Sequence, residues 1–336
     1  MSRVVLVTGV AGSFASQVAR RLVDLGEDAG IGKVVGIDTI LPDADLDGMK
    51  FVRADVRTPV IGKVIAVEDV DTVVHLDVNP PQRGRIGGKE LNVIGTMQLL
   101  AACQRSSTVG KLVLGSSAAV YGSSPRDPAM FNESLLARNG VRSGFPKDIV
   151  EVESYVRGFA RRRPDVIITT IRAAQVLHAD VESPLRNYFS NPVLPSVLGF
   201  DPRLQFLSLT DALEIFGQAV VHDRPGTFNA AGEGVVPLSQ AARRLGRPLV
   251  PMPRLGFASA ARRFVRAMGS DIPPDLHRLL TFGRAVDTSA LREIFGYEPA
   301  LTSEQTLDEF AASLRPGILT AMGLSTRGST TAGRRQ

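Results

Sequence analysis

Two glycines and an alanine, spaced Gly9-x-x-Gly12-x-x-Ala15, form a motif that can bind a diphosphate. Glycine at position 9 allows a tight turn after the apolar run at 4–7, and Gly12 lets backbone N–H groups approach a phosphate closely. The helical pattern that begins near Ser13 would present its positive end to that charge. Strand, turn and helix follow in the order of a dinucleotide-binding unit, although a purely structural turn has the same order. The motif therefore predicts a dinucleotide site.

An acidic residue follows the next apolar strand. The run at 34–37 ends in Asp38, roughly twenty residues after the motif, where a carboxylate can hold a ribose diol. Thr39 comes next rather than an arginine, so a 2′-phosphate would meet a carboxylate alone. This pattern favours NAD(H), whereas Arg53 on the neighbouring strand keeps NADP(H) open.

The elements that must position these residues alternate between strand and helix. Apolar runs predict strands at 4–7, 34–37, 51–54, 72–76, 111–114 and 166–171. A helical pattern separates several of them, most clearly at 89–105. This alternation predicts an α/β fold with a doubly wound, parallel, Rossmann-type sheet. Ligands of such sheets bind at the carboxyl ends of the strands. Those ends lie at 9–14, Asp38, Asp55, 76–77, 116–117 and 173–175.

The second half of the chain has a different pattern. Prolines cluster between 184 and 202, and a helix at about 210–221 precedes a short strand at 227–229. We interpret residues 1–175 as an NAD(P)-binding domain and 176–322 as a smaller substrate lobe, with segments around 204–230 that return to the sheet. The Ser/Thr/Gly/Arg-rich stretch 323–336 is expected to be a disordered tail.

Composition excludes several classes of protein. Hydrophobic residues make up 44% and charged residues 22% of the 336 residues, which is ordinary for an enzyme, and no run reaches the length of a membrane span. The net charge of +5 comes with no nucleic-acid motif, so we expect a small-molecule substrate. The single cysteine, Cys103, suits a reducing cytoplasm, and the histidines show no metal-ligand spacing. The sequence leaves a homodimer open.

Several motifs together resemble the extended short-chain dehydrogenase/reductases, most closely the branch of UDP-glucose 4-epimerase. The matching pieces are Thr8-Gly9-x-x-Gly12, Asp38, Asp55-Val56, Val74-His75-Leu76, Asn92-Val93-x-Gly95-Thr96, Ser116-Ser117-Ala118-Ala119-Val120-Tyr121-Gly122, Phe228-Asn229 and Gly296-Tyr297-x-Pro299. The resemblance implies NAD or NADP binding. The cofactor contacts that it implies are Gly9, Ala11, Gly12, Ser13, Phe14, Asp38, Asp55, Val56, Leu76, Asp77, Asn92, Ser116 and Ala174.

The catalytic residues of that family are matched only in part. Ser117 lies where the family has its catalytic serine. Aligning the following helix on Glu153 puts Phe145 at the position of the family's tyrosine and Ile149 at the position of its lysine. Neither side chain can transfer a proton or carry a charge. Tyr121 is the nearest remaining phenol, as a substitute acid or as a packing residue.

The substrate groups of the family are also altered. The epimerases resembled here bind a sugar nucleotide's diphosphate with an arginine at the position of Leu204, and Gln175 stands where they have a substrate-binding asparagine. We expect Tyr121, Gln175 and Phe145 to contact the substrate.

These departures suggest a different reaction from epimerisation, which needs a base and then an acid. Ketone reduction by NAD(P)H is less demanding, because the proton can come from water, from Ser117 or from a hydroxyl on the substrate. The tyrosine-less pattern resembles the atypical short-chain dehydrogenase/reductases that include aromatic-polyketide ketoreductases of actinomycetes. We therefore expect an NAD(P)H-dependent ketoreductase. An NDP-sugar epimerase or dehydratase and a non-catalytic NAD(P)-binding protein are the alternatives.

Overall fold

The computed structural model of the chain describes residues 2–43, 47–80, 88–135, 144–253 and 272–321. The tail expected at 323–336 lies outside these residues. The strands are β1 Arg3–Thr8, β2 Ile31–Asp38, β3 Met49–Arg53, β4 Thr72–His75, β5 Lys111–Ser117, β6 Ile167–Ala173, β7 Gln175–Val176, β8 Leu194–Val197, β9 Arg203–Leu204, β10 Phe206–Leu207, β11 Gly226–Ala230, β12 Val236–Pro237 and β13 Leu249–Met252. The helices are α1 Ser13–Leu25, α2 Val60–Val67, α3 Gly95–Arg105, α4 Phe145–Arg162, α5 Pro184–Ser190, α6 Leu209–Val221, α7 Leu238–Arg244, α8 Pro274–Phe282, α9 Ser303–Ser313 and α10 Ile318–Ala321.

Seven strands form one parallel sheet in the order β11-β6-β5-β4-β1-β2-β3. Neighbouring strands pair in parallel throughout, for example Val7 with Gly36 and Val74 with Val113. Helices cover both faces, so the predicted fold class, a doubly wound Rossmann-type sheet, is confirmed. The strand order reverses between β1 and β4, which opens the crevice in which such sheets bind ligands.

Two apolar layers sandwich this sheet. On one face, Ile149 and Phe159 of α4 join Leu99 of α3 in a core without solvent access. On the other, Leu22 of α1 joins Phe216 of α6. Because both faces are covered, the inner strands consist of nearly continuous aliphatic residues rather than alternating ones.

The second half of the chain builds a separate core and also returns to the sheet. A third apolar cluster contains Tyr188, Phe206 and Leu280 and lies under the paired strands β8 and β13. The segment from α6 to β11 belongs to the first domain of the fold. Helix α6 packs on α1, and β11 pairs with β6 in the seven-stranded sheet. Within the described residues, no helix is both long and apolar enough to cross a membrane.

Candidate functional site

The glycine-rich turn between β1 and α1 opens the crevice. Gly9 has φ +76°, and a Cβ there would lie 3.0 Å from Cα and Cβ of Asp77, so both its conformation and its space require glycine. Gly12 N donates to Gly9 O at 2.8 Å, which closes the turn. No side chain caps α1, so the N–H groups of its first turn, at Ser13 and Phe14, keep the phosphate-binding potential of a helix N-terminus.

The carboxylate of Asp38 braces this turn from the end of β2. Its Oδ2 accepts the Ala11 N–H at 3.0 Å and its Oδ1 accepts the Thr39 N–H at 2.7 Å. The Ala11 amide therefore ties the turn to β2. Arg53 donates from Nε to the Thr39 carbonyl at 2.9 Å, which holds its guanidinium beside this corner. One negative and one positive side chain thus flank the place where a ribose diol is expected.

A cavity of about 250 Å³ adjoins this corner. It is lined by Gly9, Ile37, Asp38, Thr39, Ile40, Ala54, Val56, Arg57, Asp77 and Leu91. The predicted residues Val56 and Asp77 are among them. Asp55 is not, because its carboxylate turns to Arg57, which donates from Nη2 to Oδ2 at 2.7 Å. That hydrogen bond holds the pKa of Asp55 below its usual value.

A buried hydrogen-bond chain fixes the inner strand ends. Thr8 Oγ1 accepts the N–H groups of Leu76 and Asp77 at 3.1 and 3.3 Å, so its own hydroxyl donates to His75 Nδ1 at 2.8 Å. His75 Nε2 then carries the proton and donates to Thr96 Oγ1 at 2.8 Å. Burial lowers the pKa of His75 to about 4, so the imidazole is neutral. These hydrogen bonds fix the backbone of Leu76 and Asp77. Asp77 lines the cavity next to Asp38, and Leu76 lines a second cavity of the crevice.

A second cavity, of about 190 Å³, lies at the ends of β5 and β6. Its lining is mostly apolar and includes the predicted residues Phe14, Leu76, Ser116, Ser117, Phe145, Ala174 and Gln175. Ser117 Oγ accepts the Ala119 N–H at 3.1 Å, which leaves its hydroxyl hydrogen to donate elsewhere. Ser116 differs, since its hydroxyl donates to Glu153 Oε1 at 2.7 Å.

Phe145 and Ile149 occupy different surroundings on the first turns of α4. Phe145 lines the cavity beside Ser117. Ile149 is fully buried in the core between α3 and α4. Lys147, on the same turn, has a side chain that is 45% exposed and pairs with Glu151. Among the described residues that line the cavity there is no tyrosine, lysine, histidine or cysteine.

Two further predicted residues lie outside both cavities. Asn92 is buried, and its amide group binds the Asn79 backbone and Asp148 instead. It acts on the crevice only through Asn79, which lines the cavity. Tyr121 is also buried, with its ring stacked on Phe131. The structure thus places neither side chain in the lining of either cavity.

The partners of Tyr121 belong to a charged network that the sequence patterns did not indicate. Arg172 on β6 donates to Tyr121 Oη at 2.8 Å, and Tyr121 donates to Asn229 Oδ1 at 2.8 Å. Arg172 also forms an ion pair with Glu153 at 2.6 Å, in which both side chains are only 4% exposed. Burial acts against the charge of Arg172, but the bonds to Glu153 outweigh it and raise the pKa of Arg172. The sequence feature that could have indicated this network is Arg172 itself, a charged residue near the end of the mostly apolar strand β6.

Three charged residues that line the cavity were also missed, namely Glu182, Asp275 and Arg284. Asp275 and Arg284, at opposite ends of α8, both line it. Burial raises the pKa of Asp275 and lowers that of Arg284 to about 10. They follow the last predicted site residue by about a hundred positions in the sequence. No local motif marks them, because only the packing of α8 against β8 in the second lobe brings them there.

These features decide what the crevice can hold. The turn at Gly9 would not admit a side chain, and no side chain caps the first-turn amides of α1. Asp38 lies at the end of β2, where the carboxylate that binds a ribose diol is expected. The residues present therefore fit a pyridine dinucleotide. Residues 5–180 match the family described as NAD dependent epimerase/dehydratase. The chain belongs to this family.

Relatives agree with membership of the NAD dependent epimerase/dehydratase family. An uncharacterized protein of Mycobacterium tuberculosis is 39% identical over 317 residues, covering 92% of this chain and 83% of its own length. The resemblance to extended short-chain dehydrogenase/reductases and the prediction of an NAD cofactor are thereby confirmed at the level of the family.

Solved structures agree on the fold. The dTDP-glucose 4,6-dehydratase of Bacillus anthracis, in complex with NAD, superposes with a TM-score of 0.70 at 18% identity, over 93% of this chain and 96% of its own. The UDP-glucose 4-epimerase of Thermotoga maritima, with UDP-glucose, gives 0.67 at 16% identity, over 96% and 100% of the two chains. At such identities the likeness concerns the fold alone.

Proposed function

We propose that this protein is an NAD(H)-dependent ketoreductase that reduces a carbonyl group of a bulky, aromatic, polyketide-type substrate. The observation that carries the proposal is the composition of the cavity at the ends of β5 and β6. Phe145 lines it where the resembled family has a tyrosine, and Ile149 lies in the core where that family has a lysine. A reaction that requires a protein-borne proton shuttle is disfavoured there, and one that requires mainly positioning is favoured.

The residues that would hold the cofactor span the crevice. The turn at Gly9 and the first turn of α1 would bind the diphosphate, Asp38 the ribose, and Val56 the adenine. Leu76, Ser116 and Ala174 would line the nicotinamide side. Bound NADH supplies the hydride for carbonyl reduction.

Besides water, the proton has two sources in this arrangement. Ser117 lines the cavity, and its hydroxyl donates to no described residue. Its hydrogen is therefore available to the substrate. A substrate hydroxyl next to the carbonyl, already hydrogen-bonded to it, would supply the other. The apolar wall formed by Phe14, Phe145 and Phe216 suits an aromatic ring system.

An NDP-sugar epimerase or dehydratase is the second candidate, because the solved structures that superpose on this chain include such enzymes. Leu204 speaks against it. Its side chain is buried in the apolar cluster of the second lobe, at the position where the resembled epimerases carry a diphosphate-binding arginine. Its neighbour Arg203 is exposed.

The test compares two ketones that differ by one hydroxyl. NADH oxidation is followed with 8-hydroxy-1-tetralone, whose hydroxyl bonds its own carbonyl, and with 1-tetralone. We expect reduction of the hydroxylated ketone at least about tenfold faster, and Ser117→Ala to lower the rate with 1-tetralone more than with its hydroxylated analogue. Ser106→Ala, between α3 and β5 and therefore at the amino end of the strand that ends in Ser117, is the matched control.

Other outcomes assign the protein differently. Interconversion of UDP-glucose and UDP-galactose, with neither tetralone reduced, would replace the ketoreductase proposal by the epimerase. Binding of NADH without turnover of either ketone or sugar nucleotide would leave a cofactor-binding protein. An unchanged rate in Ser117→Ala with both ketones would remove that serine from the mechanism.

A further inference from the structure

Arg284 is the one arginine among the described residues that line the cavity beside Ser117. Leu276 and Leu279 of α8 lie in the same wall, and Asp275 and Glu182 are the other charged residues of the lining. A guanidinium stays charged throughout the physiological range, and burial lowers the pKa of this one only to about 10. A permanent positive charge beside hydrocarbon is costly unless an acceptor is supplied.

The hydrogen bonds of Arg284 use only one edge of its guanidinium. Nε donates to Gly122 O at 2.8 Å, and Nη2 donates to Ser123 Oγ at 3.2 Å. These two N–H groups form the side edge of the planar fork. The end edge, with one N–H from each Nη atom, makes no hydrogen bond to another described residue. Such an edge matches the two oxygens of a carboxylate.

Asp275 does not supply that acceptor. Its carboxylate accepts the Phe145 N–H and interacts with Arg284 through space, without a direct ion pair. Its atoms lie 2.9 and 3.2 Å from where a Cβ of Gly144 would stand, which places it at the start of α4. The two opposite charges thus line one cavity, and each is hydrogen-bonded by a different segment of the chain.

We propose that the substrate carries a carboxylate, or an oxyanion of similar shape, that binds the end edge of Arg284, with its carbonyl towards Ser117. The inference rests on the proposed ketoreductase activity and names a substrate class for it. Arg284 then determines specificity by charge and by geometry, and Asp275 moderates the affinity by repelling the same anion.

The experiment measures binding of matched probes to the NAD-loaded protein by calorimetry. The probes are 4-acetylbenzoate and its neutral methyl ester. We expect the acid to bind at least about tenfold more tightly than the ester to the wild type. Arg284→Met should abolish this preference, whereas Arg126→Met, at an exposed arginine, should keep it.

Two further variants separate charge from geometry and from folding. Arg284→Lys keeps the charge but loses the fork, so we expect an intermediate preference. Asp275→Asn should strengthen binding of the acid severalfold, because it removes the carboxylate that repels the same anion, and this gain should be lost when Arg284→Met is added. Equal binding of acid and ester to the wild type, or no binding of the acid, overturns the inference without any variant. A preference that persists in Arg284→Met also overturns it.

One more arm distinguishes this inference from the proposed function. UDP offers a diphosphate in place of the carboxylate. If UDP binds in an Arg284-dependent manner while the tetralones are not reduced, the oxyanion site is upheld and the ketoreductase proposal fails. If the tetralones are reduced but Arg284 does not strengthen binding of the acid, the ketoreductase proposal is upheld and the oxyanion site fails.

Discussion

The two halves of the crevice use polar groups in opposite ways. On the cofactor side, the carboxylate of Asp38 and several backbone amides surround the turn at Gly9, which admits no side chain. Asp38 also lines the cavity there. On the substrate side, Glu153, Arg172 and Tyr121 satisfy one another behind the strand ends. On the cofactor side, the uncapped amides at the start of α1 remain available to a ligand. On the substrate side, this network uses its polar groups within the protein, and Ser117 and the end edge of Arg284 are the groups left to the cavity. The proposed ketoreductase chemistry would therefore use Ser117 and the ligands themselves.

Breaking the internal network should have the largest effect on stability. Arg172→Met leaves the buried carboxylate of Glu153 without its main partner, and we expect a loss of about 3–5 kcal/mol in the free energy of unfolding. Arg157 pairs with the same carboxylate at 3.5 Å, but its side chain is 46% exposed. Arg157→Met should therefore cost less than about 1 kcal/mol. Urea denaturation of both variants checks this, and equal losses would contradict it.

Acid should destabilise the protein through His75. Its pKa is about 4 in the fold against 6.5 when exposed, so the unfolded chain takes up a proton first as the pH falls. Above pH 6.5, His75 is neutral in both states and costs the fold nothing. As the pH falls from 6.5 to about 4, the free energy of unfolding decreases by about 3 kcal/mol through this one residue. The measurement is unfolding free energy against pH for the wild type and His75→Asn.

The variant at His75 should show a shallower acid slope over that interval. His222→Asn, at an exposed histidine, is the matched control and should leave the slope as in the wild type. Parallel curves for the wild type and His75→Asn would show that the buried imidazole is not the group responsible.

Gly9→Ala tests the ligand-facing half directly. The new Cβ would approach Asp77 to 3.0 Å in a backbone conformation at φ +76°. We expect a stability loss of about 1–3 kcal/mol and NAD binding weakened by more than about tenfold. At Gly110 a Cβ would meet no atom within 4 Å, so Gly110→Ala should change neither quantity. Thermal unfolding and NADH fluorescence titration measure the two effects.

The smallest change is expected at Asp38. Asp38→Asn keeps the size of the side chain but removes the charge that would repel a 2′-phosphate and would bind the ribose diol in the proposed cofactor site. We expect NAD affinity to fall by about tenfold and the ratio of NADP to NAD affinity to rise. Asp28→Asn, at an exposed carboxylate after α1, is the control. An unaltered cofactor ratio would show that Asp38 serves only to brace the turn.

Sequence patterns predicted the sheet well because its signals are local. The strand before Gly9, the acid at Asp38 and the edge strand near 227–229 all appear in the structure. Pairings between distant segments could not be predicted in the same way. Arg172 on β6 donates to Tyr121, which lies 51 residues earlier in the chain, and Arg284 reaches the cavity through the packing of α8, which no periodicity encodes.

The position of β11 has a consequence for dissecting the molecule. This strand, Gly226–Ala230, forms an outer edge of the seven-stranded sheet, yet the chain reaches it only after passing through part of the second lobe. A fragment cut after residue 180, where the family match ends, would leave the β6 edge without its neighbour and strip α6 from α1. Such a fragment would present open backbone hydrogen-bonding groups to other chains and would be prone to aggregate. A shortened chain that is meant to fold should therefore extend past β11.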